Sequence, residues 1–351
     1  MEAYVLLIFI VTVVILLQEN TKWLNVKWAG GACNISYLIL YMVFVLFYSV
    51  REGIGYDYGM YRGSISGGYA YDVYAPNGEI ISASLMDFAS YCENYHIYFA
   101  LVAAISFFLI IRSLHDNFAR EKVWIWGILV FMALPIGFME SLSIQRQFLA
   151  MSVLMYGIKY IFKGCLYKYL LTVIIATMCH VSSAIFIILY AVRFLKIKTT
   201  LIIGVLLIIV TNFVLKLLAD YFIQLQVYLQ LMNADSAGGW GQYIFYMLML
   251  CMAAFFRRYV RGAEYDIKLK IYIFGIVAIQ MFANIDLKVA FRLGGVALYI
   301  LMLIIPDGIT RFKSSQRILI KFIVYAVLVG MFIYNLHISS GDYYVPFKTW
   351  L

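Results

Sequence analysis

The run Tyr169–Val192, Y-L-L-T-V-I-I-A-T-M-C-H-V-S-S-A-I-F-I-I-L-Y-A-V, decides how this chain is threaded. It is long enough to cross a bilayer once, which takes about 20 apolar residues. Yet Met178-Cys179-His180-Val181-Ser182-Ser183 interrupts it in the middle. If the run crosses once, the basic group Arg193, Lys196 and Lys198 lies outside, and the outside then holds 15 of the 27 Lys and Arg residues in all. That opposes the bias that keeps basic loops in the cytoplasm. If the run enters and returns on one side, 20 basic residues fall inside and 7 outside, with 6 acids inside and 12 outside. The second threading satisfies the bias, so 169–192 is expected to be a re-entrant helical hairpin bent near His180. Each arm of about twelve residues rises about 18 Å, which takes the bend past mid-membrane. Non-helical backbone at that depth has to face protein or a water-filled cavity.

The rest of the chain fits a membrane. Its 351 residues are 65% hydrophobic and 13% charged, with a mean hydropathy of +0.90, whereas soluble domains are about 25% charged. Apolar spans fall near 3–17, 32–50, 97–111, 123–139, 147–162, 200–219, 242–256, 271–284, 291–306 and 318–335. The expected fold is therefore all-α: a polytopic transmembrane helix bundle with about ten crossings plus the hairpin. Residues 1–351 form a single integral membrane domain with both termini outside. The first span lacks a basic start and a small-residue cleavage site, so it reads as a retained helix. Two long segments fall outside the membrane on this threading, an extracytoplasmic loop over 51–96 and a second extracytoplasmic segment over 220–241. The net charge of +9 comes with no basic block, so it follows loop topology and not nucleic acid. Five cysteines without C-x-x-C spacing, four scattered histidines and the lack of an H-E-x-x-H motif give no metal site. Gly53-Ile54-Gly55 follows a membrane helix and lacks the strand that a nucleotide loop requires.

Polar residues collect at the expected outer face. Arg51, Asp57, Tyr58 and Tyr61 leave the second span. Glu140, Ser143, Gln145, Arg146 and Gln147 lie at the next outer turn, His180 at the bend, and Asn284, Asp286, Lys288 and Arg292 at a later turn. Singly, each has an ordinary structural role available, as interface anchor, snorkelling cation or satisfied core histidine. Arg292 lies about one turn inside an apolar span, where arginines face the bundle interior and mark function. Together the arginines offer planar forks suited to phosphate oxygens, and Asp57 and His180 supply a general base or an orienting pair. That set fits chemistry on an anionic, lipid-linked substrate.

Four stretches carry a family resemblance: R-E-G-I-G-Y-D-Y-G-M-Y at 51–61, S-L-S-I-Q-R-Q-F-L-A-M-S at 141–152, A-T-M-C-H-V-S-S-A at 176–184, and R-L-G-G-V-A-L-Y at 292–299 with Pro306 beyond. In order and spacing they resemble the motifs of EpsG-type, Wzy-like polysaccharide polymerases, with Tyr56 departing from a small residue expected there. The resemblance implies a GT-C-like bundle in the bacterial cell (inner) membrane, with its active site facing the periplasm or exterior. It implies a metal-independent, inverting glycosyltransferase without cofactors that joins oligosaccharide repeat units carried on undecaprenyl diphosphate, building O-antigen, capsule or exopolysaccharide. Membrane lipids, a chain-length regulator and a flippase are the implied partners. On this reading Arg146 and Arg292 contact the diphosphate, with Arg51 assisting or holding the long loop. His180 or Asp57 takes the acceptor proton, His180 being favoured because a neutral imidazole accepts a proton near pH 7. Tyr58, Tyr61 and Gln147 contact substrate. A lipid-linked oligosaccharide flippase and an O-antigen ligase are the competing readings.

Overall fold

The computed structural model of the protein describes residues 2–20, 25–28, 31–118, 123–221, 240–260, 262–283, 287–338, 344–345 and 347–350. The second extracytoplasmic segment falls largely outside these residues, as do Asn284 and Asp286 and the side chain of Lys288.

Apolar sequence becomes helix throughout, because a chain in lipid has to satisfy its backbone internally. In order, α1 is Glu2–Asn20, α2 Ile35–Ser49, α6 His96–Phe118, α7 Trp124–Ala133, α9 Gln145–Lys163, α10 Leu166–Cys179 and α12 Ile197–Tyr221. Then follow α13 Trp240–Phe256, α14 Ala263–Phe282, α15 Leu287–Tyr299, α16 Leu301–Thr310 and α17 Ser314–Ile338. Each expected span holds one of these helices, except 291–306, which is divided between α15 and α16. A pair of four-residue antiparallel strands, Asn25–Trp28 and Gly31–Asn34, precedes α2. Four described helices are long and apolar enough to cross a membrane, and six more are apolar but shorter. Apart from that strand pair, the regular structure of the described residues is helical, and the molecule is a helical membrane protein.

Three departures from plain spans shape the site. The segment 51–96 is no open loop: it folds into α3 (Tyr58–Ser66), α4 (Ala70–Tyr74) and α5 (Ile80–Tyr91). The span expected over 123–139 stops at Ala133, because Leu134 precedes Pro135 and is held extended at φ −61°, ψ 131°. The chain then turns at Gly137, whose amide donates to the Leu134 carbonyl at 2.8 Å, into α8 (Phe138–Ser141). Third, α15 breaks at Gly295, whose φ of +35° suits glycine and whose missing Cβ leaves room for the Phe186 ring.

The 169–192 stretch bends where the sequence indicated. After α10, His180 is extended at φ −156°, ψ 119°, and Val181–Ile188 follows as a 3₁₀ helix before α11 (Leu189–Val192). Eight residues is long for a 3₁₀ helix, a form that marks hinges and functional sites. The arms lie antiparallel. Tyr169 Oη donates to the Phe186 carbonyl at 2.6 Å, and its ring stacks on Tyr190 at 6.0 Å. Arg193 then donates to the carbonyls of Ile161 and Phe162 at 2.6 and 3.1 Å. The chain has returned to the end of α9 from which α10 departed.

A strap from the far end of the sequence closes the opposite end. Glu52 N donates to Lys348 O at 2.9 Å and Trp350 N to Val50 O at 3.1 Å, pairing Arg51 with Thr349 antiparallel. The Trp350 indole donates to Ser49 O at 2.9 Å.

Candidate active site

The N-terminal end of α9 is the floor of the site. Its first turn carries Gln145, Arg146 and Gln147, and no side chain caps it, so the positive end of its dipole lies at this floor. Three walls stand around it.

The first wall is the segment after α2. Gly55, at φ +105°, lies so close to the Leu142 carbonyl that a Cβ has no room. Tyr56 N donates to Ser143 Oγ at 2.8 Å, and Ser143 Oγ shares a 2.5 Å hydrogen bond with Tyr344 Oη. Arg51 supports this wall from behind. It is fully buried, donates to the Leu142 carbonyl at 2.8 Å, and lies 4.7 Å from the Phe99 ring centroid and 5.4 Å from that of Tyr48. Burial pulls its guanidinium down to about 10, which leaves it charged at neutral pH. Asp57 follows, half-buried, at the start of α3 without capping it. Burial raises its carboxyl above the usual range, against the pull of Arg292 and Arg146 and with the charge of Glu140 adding to the rise. Tyr58 and Tyr61 are buried. Tyr58 stacks on Phe99 at 4.8 Å and donates to Glu52 at 2.8 Å, and Tyr61 packs on Tyr98 at 5.5 Å.

The second wall is the broken helix. Arg292 reaches Glu140 at the end of α8 through Nη2 at 2.7 Å and Nε at 3.1 Å. Gln147 donates to the Arg292 carbonyl at 2.8 Å, tying the turn interrupted at Gly295 to α9.

The third wall is the hairpin bend together with α5. Glu79, the residue before α5, is buried. Its Oε1 accepts from His180 Nδ1 at 2.6 Å and from the Val181 amide at 3.1 Å, and its Oε2 is ion-paired to Arg146. Burial alone pushes this carboxyl up, but the His180 hydrogen bond and the Arg146 charge outweigh it and hold it below the usual range. Arg146 lies over the Tyr74 ring at 4.2 Å, and its Nε is buried without a partner.

Arg146, His180, Arg292, Gln147 and Asp57 thus gather at one end of the bundle, with the Tyr61 ring 5.9 Å from the Arg146 guanidinium and Arg51 and Tyr58 one layer behind. Sequence reasoning missed Glu79 and Tyr344. Nothing in the sequence separates Glu79 from the five other acids of 51–96, and its contacts lie 67 and 101 residues away. Among the described residues, no group of three or more His, Cys, Asp and Glu is placed to hold a metal ion. The constellation can bind an anion between two arginines and move a proton beside it.

Residues 34–349, which include every residue of this constellation, match the model of the EpsG family. The chain belongs to the EpsG family. No curated protein and no solved structure gives a significant match. Membership groups this EpsG-family protein with membrane proteins of polysaccharide biosynthesis, in agreement with its apolar helices.

Proposed function

We propose that the protein is a polysaccharide polymerase, an inverting glycosyltransferase that joins oligosaccharide units carried on undecaprenyl diphosphate at the outer face of a bacterial cell membrane. The observation that carries this reading is the placement of Arg146 and Arg292 at one bundle end, with Asp57 coupled electrostatically to both. The acceptor hydroxyl attacks the anomeric carbon of the growing chain from the face opposite the diphosphate. The new C–O bond forms as the bond to the diphosphate breaks, and the electron pair leaves with the phosphate oxygen. Arg146 and Arg292 offset that charge, each already beside a carboxylate (Glu79, Glu140) and so held in place before substrate arrives. The α9 N-terminus adds the positive end of its dipole. His180, with its ring partly open, takes the acceptor proton, and Asp57 orients the acceptor sugar. Arg51, Tyr58 and Tyr61 brace the acceptor wall from behind.

The threading that serves this reading has ten crossings, a re-entrant hairpin at 169–192 and both termini outside. The return of Arg193 to the end of α9 supports it. Single cysteines at Tyr167 and Phe194, 71% and 73% exposed, in a background without other cysteines, are expected to label from the cytoplasmic side only. Labelling from opposite sides rejects the hairpin. For the activity, purified protein in detergent is expected to lengthen lipid-linked oligosaccharides with no gradient or metal added. Product appearing only in sealed vesicles points to transport, and transfer only to a lipid A-core acceptor points to ligation.

A further inference from the structure

Glu79 is joined to two residues of the site and to the backbone amide just after His180, and holding Arg146 accounts for only one of its two oxygens. It comes from the outer segment, follows Asn77-Gly78, and meets the membrane hairpin at its bend. Its side chain is 3% exposed, so it faces protein on nearly every side. A carboxylate buried this way is tolerated when paired and hydrogen-bonded, and here both oxygens are occupied by Arg146, His180 Nδ1 and the Val181 amide.

We infer that Glu79 is a positioning residue that holds the His180 imidazole with its proton on Nδ1, leaving Nε2 as the atom that receives the acceptor proton. This rests on the polymerase reading above. The step from geometry to tautomer is short. An ionised carboxylate only accepts hydrogen bonds, so the ring nitrogen 2.6 Å from Glu79 has to donate. A neutral imidazole carries one N–H, so Nε2 is left with a free lone pair. The Val181 amide on the same oxygen fixes the backbone just after His180, so ring and bend are set by one group. His180 is 22% exposed against 3% for Glu79, which leaves the ring an open edge while its partner is sealed. The electrostatics agree, since Glu79 is held ionised at neutral pH.

In the transfer, the acceptor O–H bond breaks as its oxygen bonds the anomeric carbon, and the proton passes to Nε2. The resulting imidazolium is stabilised by Glu79, which stays ionised, and returns the proton to solvent as the lipid diphosphate departs. Arg146 shares the carboxylate, so the cation proposed for the leaving group and the base proposed for the nucleophile are fixed relative to each other. The other titratable groups around the pair are Cys179, which feels the Glu79 charge, and Tyr61 and Tyr74, whose rings flank Arg146.

The test is nitrogen NMR of ¹⁵N-histidine-labelled full-length protein in detergent at pH 8, with His180 assigned from a His180→Asn spectrum. The expected signature is a protonated Nδ1 and an unprotonated Nε2. Glu79→Gln, which presents an amide NH₂ as well as an oxygen, is expected to populate the Nε2–H form. In the polymerisation assay it is expected to lower kcat about 10²–10⁴-fold, as loss of a base-orienting carboxylate does, with KM for lipid-linked donor changed less than about tenfold. Glu79→Asp is expected to recover part of kcat and the Nδ1–H signature. The idea is overturned if wild-type His180 is protonated on Nε2, or if folded Glu79→Gln keeps both the tautomer and kcat. If Glu79→Gln does not fold, the wild-type and Glu79→Asp spectra decide alone. The tautomer is read without substrate, so a wild-type protein that fails to polymerise rejects the polymerase reading and leaves this assignment standing or falling on its own spectrum.

Discussion

Lys268 and Arg146 are both basic side chains drawn in against carboxylates at opposite ends of the bundle, and their hydrogen bonding is completed to different degrees. Lys268 Nζ lies 2.6 Å from Asp307 and 2.8 Å from Glu264, its own helix neighbour one turn away. Beside it, Lys270 donates to the carbonyls of Arg193 and Leu195 at 3.0 and 2.7 Å, and Arg193 closes on the end of α9. Every donor group named at this end finishes on a carbonyl or carboxylate that fixes a helix terminus. About 24 Å away along α9, Arg146 shares one carboxylate with a histidine and keeps a buried Nε without a partner. Arg292 meets Glu140 from a half-open position, and no described residue donates to the carboxylate of Asp57. The Lys268 cluster consists of completed struts. The Arg146 cluster has cation capacity left over, which is what an anionic substrate requires.

The contrast predicts opposite failures. Lys268→Ala strands Asp307 in the interior and is expected to cost about 3–5 kcal/mol of stability, read as a lowered unfolding temperature in detergent. Activity per folded molecule should change less than about threefold. A large loss of turnover in protein that still melts normally would mean the Lys268 cluster is more than a strut. Arg146→Ala and Arg292→Ala should reverse the pattern, each lowering polymerisation about 10²–10³-fold, the usual worth of one donor to a developing anion. Near-normal rates in either variant remove that arginine from the diphosphate site. Tyr169→Phe, which removes one of the two donors on the Phe186 carbonyl and leaves the Leu189 amide, is expected to cost about 0.5–1.5 kcal/mol with little change in rate. It thereby tests whether the Tyr169 hydroxyl holds the two arms of the hairpin together.

The smallest effect concerns acid. Glu79 titrates below its unfolded value, so the stability it contributes is fully present above the ordinary carboxylate range and is lost as pH falls through its folded value. Between pH 7 and about pH 3.5, wild-type protein should therefore lose more melting temperature than Glu79→Gln. Equal losses would show that the ion pair is not linked to folding.

Much of this was legible beforehand, and the reasons differ by feature. Helix positions follow from hydropathy, because lipid leaves an apolar run no other backbone solution. The bend at His180 came from counting charges on either side of one run. The break at Pro135 was missed, and 123–139 read as one span: its hydropathy is continuous, and only the restriction on Leu134 ends the helix. Residues 58, 61 and 65 are spaced as one helix face, and that face is buried. The aromatic content there invited a sugar-stacking reading that the spacing, taken alone, did not favour. Arg51 was legible as special but not as sealed, since its aromatic box comes from Tyr48, Tyr58 and Phe99 on three separate elements. Glu79 and Tyr344 were invisible because their partners lie 67 to 340 residues away and their own neighbourhoods carry no pattern.

The strap over 347–350 has a consequence for biosynthesis. Arg292 emerges roughly 50 residues before Tyr344 and the strand that pairs with Val50 and Glu52. At ordinary rates of translation that is an interval of roughly 3–10 s. During it, α2 and the wall after it sit in the membrane with Ser143 and the backbone of 50–52 lacking their final partners. A nascent chain therefore carries its arginines and its histidine before it carries the frame that sets them, and the later-translated stretch over 344–350 is the one that completes the wall around Arg51 and Ser143.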